Sequence, residues 1–159
     1  MKGNEELIQT LNSLLADELT AINQYMVHSE MCENWGYGNL YMNKRKQAMD
    51  EMNYAEWLIE RILFFDNAPS ISKHNPLGIG KTIAEIVNHD YKLELVTIHT
   101  YNEAIKFARE VEDQGTVDLL TKILKMEEGH VEWAEIQQTQ MEQMGMENYL
   151  VTQINNRAS

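Results

Sequence analysis

The stretch DNAPSISKHNPLGIGK, residues 66–81, decides the fold because it divides a chain that otherwise has few breaks. It holds both prolines of the sequence, Pro69 and Pro76. On either side of it run long segments without a helix-breaking residue, and β-branched residues do not alternate between turn dipeptides as they do in strands. The sequence therefore predicts an all-α chain.

Four long helices are expected around this stretch. Their predicted bounds are 5–33, 39–65, 82–111 and 116–144, and about eight more helical residues are expected near 147–155. Thr82 and Glu85 have the spacing of a capping box, which supports the start of the third helix. Gly145 ends the fourth helix.

The lengths of the connections predict the topology. The first and last pairs of long helices are joined by short links, so each pair should form an antiparallel hairpin. Residues 66–81 can span ~50 Å when extended, whereas a helix of ~28 residues is ~42 Å long. A crossover of that reach gives a ferritin-like four-helix bundle in a single domain, residues 1–159. The alternative is a loop that insertion has merely lengthened.

The composition excludes several classes of function. Thirteen Lys and Arg residues stand against 25 Asp and Glu residues, a formal charge of −12. This argues against nucleic-acid binding and suits a protein that attracts cations, although solubility alone also explains it. Cys32 is the single cysteine, which excludes an internal disulfide and a cysteine-rich metal site. We find no signal peptide and no membrane span, and we expect a cytoplasmic protein.

Each long helix carries an apolar stripe at 3-4 spacing, and one glutamate interrupts each stripe in its middle third. No lysine or arginine is expected on these stripes near the glutamates. Because an unpaired buried carboxylate costs several kcal/mol, we expect a metal cation among them. Oxygen ligands with an imidazole suit iron or manganese better than zinc. The four glutamates are Glu18, Glu51, Glu94 and Glu127.

A Glu-x-x-His pattern on the fourth helix strengthens this interpretation. Glu127 and His130 lie on one helix face, although such a pair alone is common on solvated faces. Di-metal carboxylate bundles use one Glu from each of two helices and Glu-x-x-His from each of the other two. The matching stretch of the second helix is EMNY, residues 51–54, so Tyr54 stands at the position of the second histidine.

The sequence resembles bacterioferritins over essentially its whole length. The stretches that carry the resemblance are ELTAINQY at 18–25, IERILF at 59–64, EEGH at 127–130 and NYL at 148–150. The resemblance implies a 24-subunit homo-oligomeric shell that stores ferric mineral. It also implies a di-iron centre in each bundle that oxidises Fe(II) with oxygen or peroxide.

The resemblance also assigns roles by position. It implies one terminal glutamate at the first iron, one terminal glutamate and a histidine at the second, and two bridging glutamates. In that order the residues are Glu18, then Glu94 with His130, then Glu51 and Glu127.

Tyr54 departs from the family pattern, in which a histidine completes the first iron site. It can bind metal as a phenolate, stay protonated and hydrogen-bond to a carboxylate, or turn away and leave water as the ligand. We favour the last two, because a phenol of pKa ~10 ionises at neutral pH only with strong help from a metal. The expectation is a ferroxidase centre weakened by Tyr54.

The resemblance further implies haem b between two subunits, with a methionine from each as axial ligand. Met52 matches that methionine, and Met49 and Arg45 share its outward helix face. This leaves an alternative function, that of a haem-supplying subunit with impaired ferroxidase activity. Such a subunit would share one shell with a second subunit type. Its haem would pass electrons for iron release, with a ferredoxin as partner. A further alternative is a di-metal oxidase or peroxide-detoxifying protein that stores no mineral.

Other polar residues carry weaker interpretations. Asp50 projects away from the core stripe and is a candidate for an iron site on the inner surface of the shell. Cys32 is interpreted as a packed thiol. Tyr25, Tyr101 and Trp133 are expected to be ordinary core aromatics. Ordinary surface or interface positions are expected for the remaining histidines, His28, His74, His89 and His99.

Overall fold

The computed structural model describes residues 1–73 and 75–154. Within these ranges it contains five helices and no strand, as a ferritin-like bundle with a short C-terminal helix requires. The long helices match the predicted bounds to within two residues. The predicted fifth helix extends to residue 155, and that residue and His74 lie outside the described residues. The helices are α1 Glu5–Asn34, α2 Gly38–Phe64, α3 Ile83–Glu110, α4 Gln114–Met144 and α5 Met146–Thr152.

Side-chain caps fix where three of these helices begin. The side chain of Asn4 accepts a hydrogen bond from the Leu7 N–H at 3.0 Å and starts α1. Thr82 accepts one from the Glu85 N–H at 3.2 Å, which confirms the predicted cap of α3. Asp113 caps α4 and also binds Arg61 of α2 at 2.8 Å, so the start of α4 is tied to the neighbouring helix.

The two hairpins pack through the predicted stripes. α1 packs mainly on α2, and α3 mainly on α4. The four glutamates are buried, and so are apolar residues at 3-4 spacing from them on the same helices, such as Leu15, Ala55, Tyr101 and Ile123. The apolar part of the core is built chiefly from leucine and isoleucine side chains of all four long helices. The polar positions are therefore set inside the bundle rather than on a solvated face.

The described residues of the crossover, 66–73 and 75–81, run along α1 and dock on it by hydrogen bonds. Their acceptors on α1 extend from residue 12 to residue 28, a distance of ~24 Å at 1.5 Å per residue. This confirms the crossover and excludes a loop that is merely longer. The pairs are Ser70 N–H to Asn12 at 2.7 Å, Asn75 N–H to Thr20 at 3.1 Å, Gly78 N–H to Gln24 at 2.8 Å and Gly80 N–H to His28 at 2.9 Å.

In the described part of the chain, none of the helices combines the length and the apolar character needed to cross a membrane.

Candidate metal centre

Three glutamates and a histidine meet in the middle of the bundle. Glu51 of α2, Glu94 of α3, and Glu127 and His130 of α4 each offer one ligand atom, and these atoms all lie within 4.8 Å of one another. Glu18 of α1 lies beside this group and interacts with Glu51. The fold thus brings together all five of the glutamate and histidine residues proposed from the sequence.

His130 joins this group to a carboxylate outside it. Its Nδ1 lies 3.2 Å from Glu51 Oε1 and 3.4 Å from Glu94 Oε1. Its Nε2 lies 3.0 Å from Asp50 Oδ2. When Nε2–H donates to Asp50, the lone pair of Nδ1 faces the glutamates, which is the arrangement that metal-binding histidines use. The Asp50 side chain is 29% exposed, so it is turned partly outward as expected, yet it also orients His130.

The glutamates are short of hydrogen-bond donors. Among the described residues, six of their eight carboxylate oxygens are buried without a hydrogen-bond partner. Buried polar atoms are almost always paired, and unpaired carboxylates are costly. The chemistry of this donor set, hard oxygen atoms with one imidazole, fits divalent iron or manganese.

The electrostatics of the group point the same way. Burial raises the pKa of Glu18 to about 7, although the adjacent Glu51 carboxyl group and the hydrogen bond from Tyr101 oppose the rise. Burial and the neighbouring carboxylates raise the pKa values of Glu51 and Glu127 well above the usual range. Without a cation these carboxyl groups hold protons at neutral pH, and a bound metal ion would replace those protons.

Glu94 and His130 behave as an ion pair within this group. Burial acts to raise the pKa of Glu94, but the adjacent Glu127 carboxyl group and the hydrogen bond from His130 outweigh it and the pKa is lowered. Burial acts to lower the pKa of His130, but the adjacent carboxyl groups of Glu127 and Glu94 outweigh it and raise the pKa to about 10. When no metal is bound, His130 therefore provides the positive charge beside the glutamates.

Two buried tyrosines hold individual glutamates in place. The Tyr25 hydroxyl donates to Glu94 Oε1. The Tyr101 hydroxyl donates to Glu18 Oε1 at 2.7 Å. Both rings are fully buried, as expected for core aromatics, and each also fixes the orientation of a carboxylate. The sequence predicted their burial but not these bonds.

Tyr54 lies against the group but is not bonded to it. Its ring is buried, with its centroid 6.2 Å from that of His130 and 5.8 Å from that of Trp57. No hydrogen bond joins its hydroxyl to a carboxylate of the described residues, so that expectation is not met, and the ring has not turned out to solvent. Burial and the nearby carboxylates raise the pKa of Tyr54, which keeps the phenol protonated.

A pocket of about 400 Å³ leads from the surface to Tyr54 and His130. It lies between α2 and α4 and reaches His130 of the metal-binding group, whereas none of the four glutamates lines it. Its remaining lining residues are Asn43, Lys46, Gln47, Asp50, Met126, Gly129 and Trp133.

Lys44 corrects one expectation from the sequence. It lies seven residues before Glu51, on the same face of α2, and only 1% of it is exposed. Its ammonium group lies 2.8 Å from Asp90 Oδ2, and above the ring of Trp133, 4.8 Å from the ring centroid. A buried cation is thus present near the glutamates. Lys44 does not compensate the charge of the glutamates, because it already pairs with Asp90. Burial acts to raise the pKa of Asp90, but the pairing contributes to lowering it.

His28 is a second correction, because it is fully buried rather than at the surface. Its Nδ1 lies 2.8 Å from Asp90 Oδ1, and its Nε2 accepts a hydrogen bond from the Gly80 N–H. Gln24 donates to the same Asp90 oxygen at 2.8 Å. The spacing could have revealed this cluster, because Gln24 and His28 are one helical turn apart on α1 and His28 follows Tyr25 by three residues.

The remaining predicted positions lie away from the centre. Met52 and Met49 are 54% and 53% exposed on the outer face of α2, where the resemblance requires the haem-binding methionine to be. Cys32 is fully buried, and burial raises the pKa of its thiol to about 11, as expected of a packed thiol. His89 is half-buried and His99 is exposed, as expected.

Fold and site together define a ferritin-like carboxylate bundle, and comparison with known proteins agrees. The Ferritin-like domain family matches residues 8–144. A bacterial ferritin of Synechocystis is 38% identical over 155 residues, which cover 97% of this chain and 99% of the relative. A bacterioferritin of Mycolicibacterium paratuberculosis is 38% identical over 149 residues, or 94% of each chain. A bacterioferritin of Brucella melitensis is 34% identical over 94% of this chain and 92% of its own. The chain belongs to the bacterioferritin family.

Proposed function

We propose that this chain is an iron-storage subunit that oxidises Fe(II) at a di-iron centre inside its helix bundle. Membership of the bacterioferritin family supports the storage role. The observation that carries the centre is the set of six buried glutamate oxygens without a hydrogen-bond partner in the described residues. Oxidised iron then leaves the centre for a ferric mineral inside a shell built of many copies of the chain.

The residues divide between two iron positions. Glu18 would hold the first iron, Glu94 and His130 the second, and Glu51 and Glu127 both. Bound iron supplies the one-electron chemistry that passes electrons from Fe(II) to oxygen or peroxide. Tyr54 stands at the position where the first iron lacks an imidazole.

The protein keeps this site in order before iron arrives. Tyr101 and Tyr25 hold Glu18 and Glu94 by hydrogen bonds, so that each presents one oxygen inward. Asp50 holds the ring of His130 so that Nδ1 faces the glutamates. The buried leucines and isoleucines around them exclude bulk water, which strengthens the attraction between carboxylates and a cation.

An aerobic Fe(II) titration of the purified metal-free protein tests the proposal, with ferric absorbance followed against iron added. A fast phase that ends near two irons per subunit would establish a working centre. Glu127→Gln should remove the fast phase, whereas Glu128→Gln, on the exposed neighbouring residue, should leave it unchanged. Loss of the fast phase in both variants, or in neither, would contradict the assignment.

Haem b is proposed at an interface between two subunits, with Met52 of each as axial ligand. The exposed thioether on the outer face of α2 supports this, because it is free to meet a second copy. A 24-subunit shell and a ferredoxin that delivers electrons for iron release complete the proposal. We propose the cytoplasm as its location.

A second candidate function is favoured by Tyr54 and Met52 together. A chain that retains the haem methionine but lacks an iron-binding histidine suits a haem-supplying subunit of a mixed shell. In that case the protein alone assembles but gives no fast phase, and co-assembly with a complete bacterioferritin subunit restores it. A small oligomer that holds no mineral would instead favour a di-metal oxidase or a peroxide-detoxifying protein.

A further inference from the structure

Tyr54 lines the pocket between α2 and α4 and lies beside His130 of the carboxylate group. Its ring stacks at a tilt of 33° beside His130 on one side and contacts Trp57 on the other. It lines the pocket together with His130, so a small oxidant that enters there meets this ring next to a metal-binding side chain.

The other two tyrosines of the site are placed differently. Tyr25 and Tyr101 are fully buried, and their hydroxyls are held by Glu94 and Glu18. Neither lines the pocket. Tyr54 therefore combines closeness to the metal-binding group, access from the pocket and a hydroxyl without a hydrogen bond to the described residues.

We propose that Tyr54 is a self-modification site, at which hydrogen peroxide hydroxylates the ring next to its hydroxyl group and converts it to a catechol. This inference rests on the proposed function, because bound iron must activate the peroxide. The phenol ring is electron-rich at the carbons beside the hydroxyl-bearing carbon, which is where an activated oxygen atom inserts.

The reaction balances without a further reactant. One oxygen atom of hydrogen peroxide is inserted into a ring C–H bond beside the phenol carbon, so a C–H bond is lost and C–O and O–H bonds form. The O–O bond breaks, and the other oxygen leaves as water. The ring loses two electrons and the peroxide gains two, so the hydroxylation consumes one peroxide, and oxidation of Fe(II) consumes other peroxide.

A catechol at position 54 would change the first iron position, which lacks the histidine of the family pattern. A catechol offers two adjacent oxygens, and Fe(III) favours such a chelating pair. The modified Tyr54 would then give the first iron position the ligand that a simple phenol does not provide. The unmodified protein would then oxidise Fe(II), whereas the modified protein would retain iron at the first position.

The test uses the whole protein loaded anaerobically with Fe(II) and then treated with hydrogen peroxide. Tryptic peptides are fragmented to find which residue has gained one oxygen atom, and a catechol-specific stain is read in parallel. Residues 47–61 form one tryptic peptide that also holds Met49, Met52 and Trp57. Fragmentation separates these sites, and methionine sulfoxide reductase removes oxygen from methionine but not from tyrosine.

Two controls are matched to the proposal. Protein loaded with Zn²⁺, which has no redox chemistry, should show no oxygen at Tyr54 after the same peroxide treatment. Tyr54→Phe keeps the ring but can gain only a phenol from one insertion, so its catechol stain should be lost. Ferric absorbance is recorded in every sample to report whether iron was bound and oxidised.

We expect oxygen at Tyr54, a catechol stain that depends on iron, and unmodified Tyr25 and Tyr101. Normal iron oxidation with an unmodified Tyr54 would overturn this inference and leave the proposed function intact. Equal modification with zinc, or equal modification of all three tyrosines, would overturn it as well. If no iron is oxidised, the proposed function fails and this inference fails with it.

Discussion

Tyr54 limits the first iron position because a phenol and an imidazole are different ligands at neutral pH. The burial that raises its pKa also makes the phenolate costly, so the hydroxyl competes weakly for a divalent ion. An imidazole at the same place binds as the neutral molecule and loses no proton. The residue at this position should therefore affect the rate of iron oxidation.

We predict that Tyr54→His raises the initial rate of aerobic Fe(II) oxidation by roughly 10-fold or more, the size of effect seen when support for a metal site is gained or lost. The measurement is ferric absorbance during the first additions of Fe(II) to the metal-free protein. Tyr54→Phe is the control, since it removes the hydroxyl without adding a ligand, and it should not accelerate the reaction. If the histidine variant oxidises Fe(II) no faster than the parent, Tyr54 is not the weak point.

The protonation of the glutamates predicts how stability depends on pH in the metal-free protein. Glu18 has a pKa raised from 4.5 to about 7 in the folded chain, so the folded state holds a proton that the unfolded state releases. Its contribution to stability is therefore lost as pH rises from about 4.5 to about 7. His130, raised from 6.5 to about 10, acts in the same direction at higher pH.

We expect the unfolding temperature of the metal-free protein to be lower at pH 7.5 than at pH 5.5 by roughly 5 °C, since ~1 kcal/mol moves the midpoint by ~2–4 °C in a chain of this size. Calorimetry at the two pH values measures it. Glu18→Gln, which cannot ionise, should reduce the difference. An unfolding temperature that is unchanged or higher at pH 7.5 would contradict the proposed protonation.

At the scale of the elements, the cluster around Asp90 fastens the crossover to the bundle. Asp90 of α3 binds Lys44 of α2 and His28 of α1, and His28 in turn accepts the N–H of Gly80 in the crossover. Removing one partner of a buried ion pair leaves the other charge without compensation and costs ~3–5 kcal/mol. The cluster thus connects four segments of the chain, namely α1, α2, α3 and the crossover.

Lys44→Met should lower the unfolding temperature markedly and make residues 66–81 more sensitive to limited proteolysis. Lys46→Met, two residues away with a side chain that is 79% exposed, should change neither. Combining Lys44→Met with Asp90→Asn should recover much of the loss, because the uncompensated charge is then removed as well. Equal stability of the two single lysine variants would show that the buried pair does not hold the crossover.

Two glycines of the crossover make a second matched pair. A methyl group at Gly80 would lie 2.6 Å from the Ile86 backbone nitrogen, whereas at Gly78 its nearest neighbour would be Gln24 Oε1 at an ordinary 3.5 Å. Gly80→Ala should therefore destabilise the protein by about 1–3 kcal/mol, and Gly78→Ala should be nearly neutral. Denaturant unfolding measures both. Similar losses of stability for the two variants would mean that the backbone around Ile86 adjusts to the added methyl group at no cost in free energy.

The sequence predicted the helices well, but it predicted the buried polar contacts between them less well. Helix bounds and stripes followed from local spacing, and the crossover followed from its length. Lys44 and His28 were misjudged because charge and imidazole are usually exposed, and only the chain fold shows that Asp90, from a distant helix, meets them. The position of Tyr54 was predictable, but its lack of a hydrogen bond depends on the packing of α2 against α4.

At the scale of the whole molecule, several exposed apolar side chains and the charge of −12 suit a subunit that packs against copies of itself around an iron store. Met52, Met49 and Met26 are each more than half exposed on the outer faces of α1 and α2. Apolar side chains gathered on one face mark an interface rather than a free surface. The haem proposal distinguishes among these methionines, because only one of them occupies the matching position.

We predict that Met52→Leu abolishes haem binding while assembly and Fe(II) oxidation continue. Leucine keeps the apolar contact area but has no sulfur atom to bind haem iron. The measurement is the Soret absorbance of protein reconstituted with haem, recorded together with the oligomer mass and the ferroxidase rate. Met49→Leu is the matched control, because that side chain is equally exposed one turn earlier on α2, and its Soret band should be unchanged. If both variants bind haem normally, the axial ligand is another residue. If both lose it and dissociate, the methionines serve the interface between subunits, and the haem assignment falls.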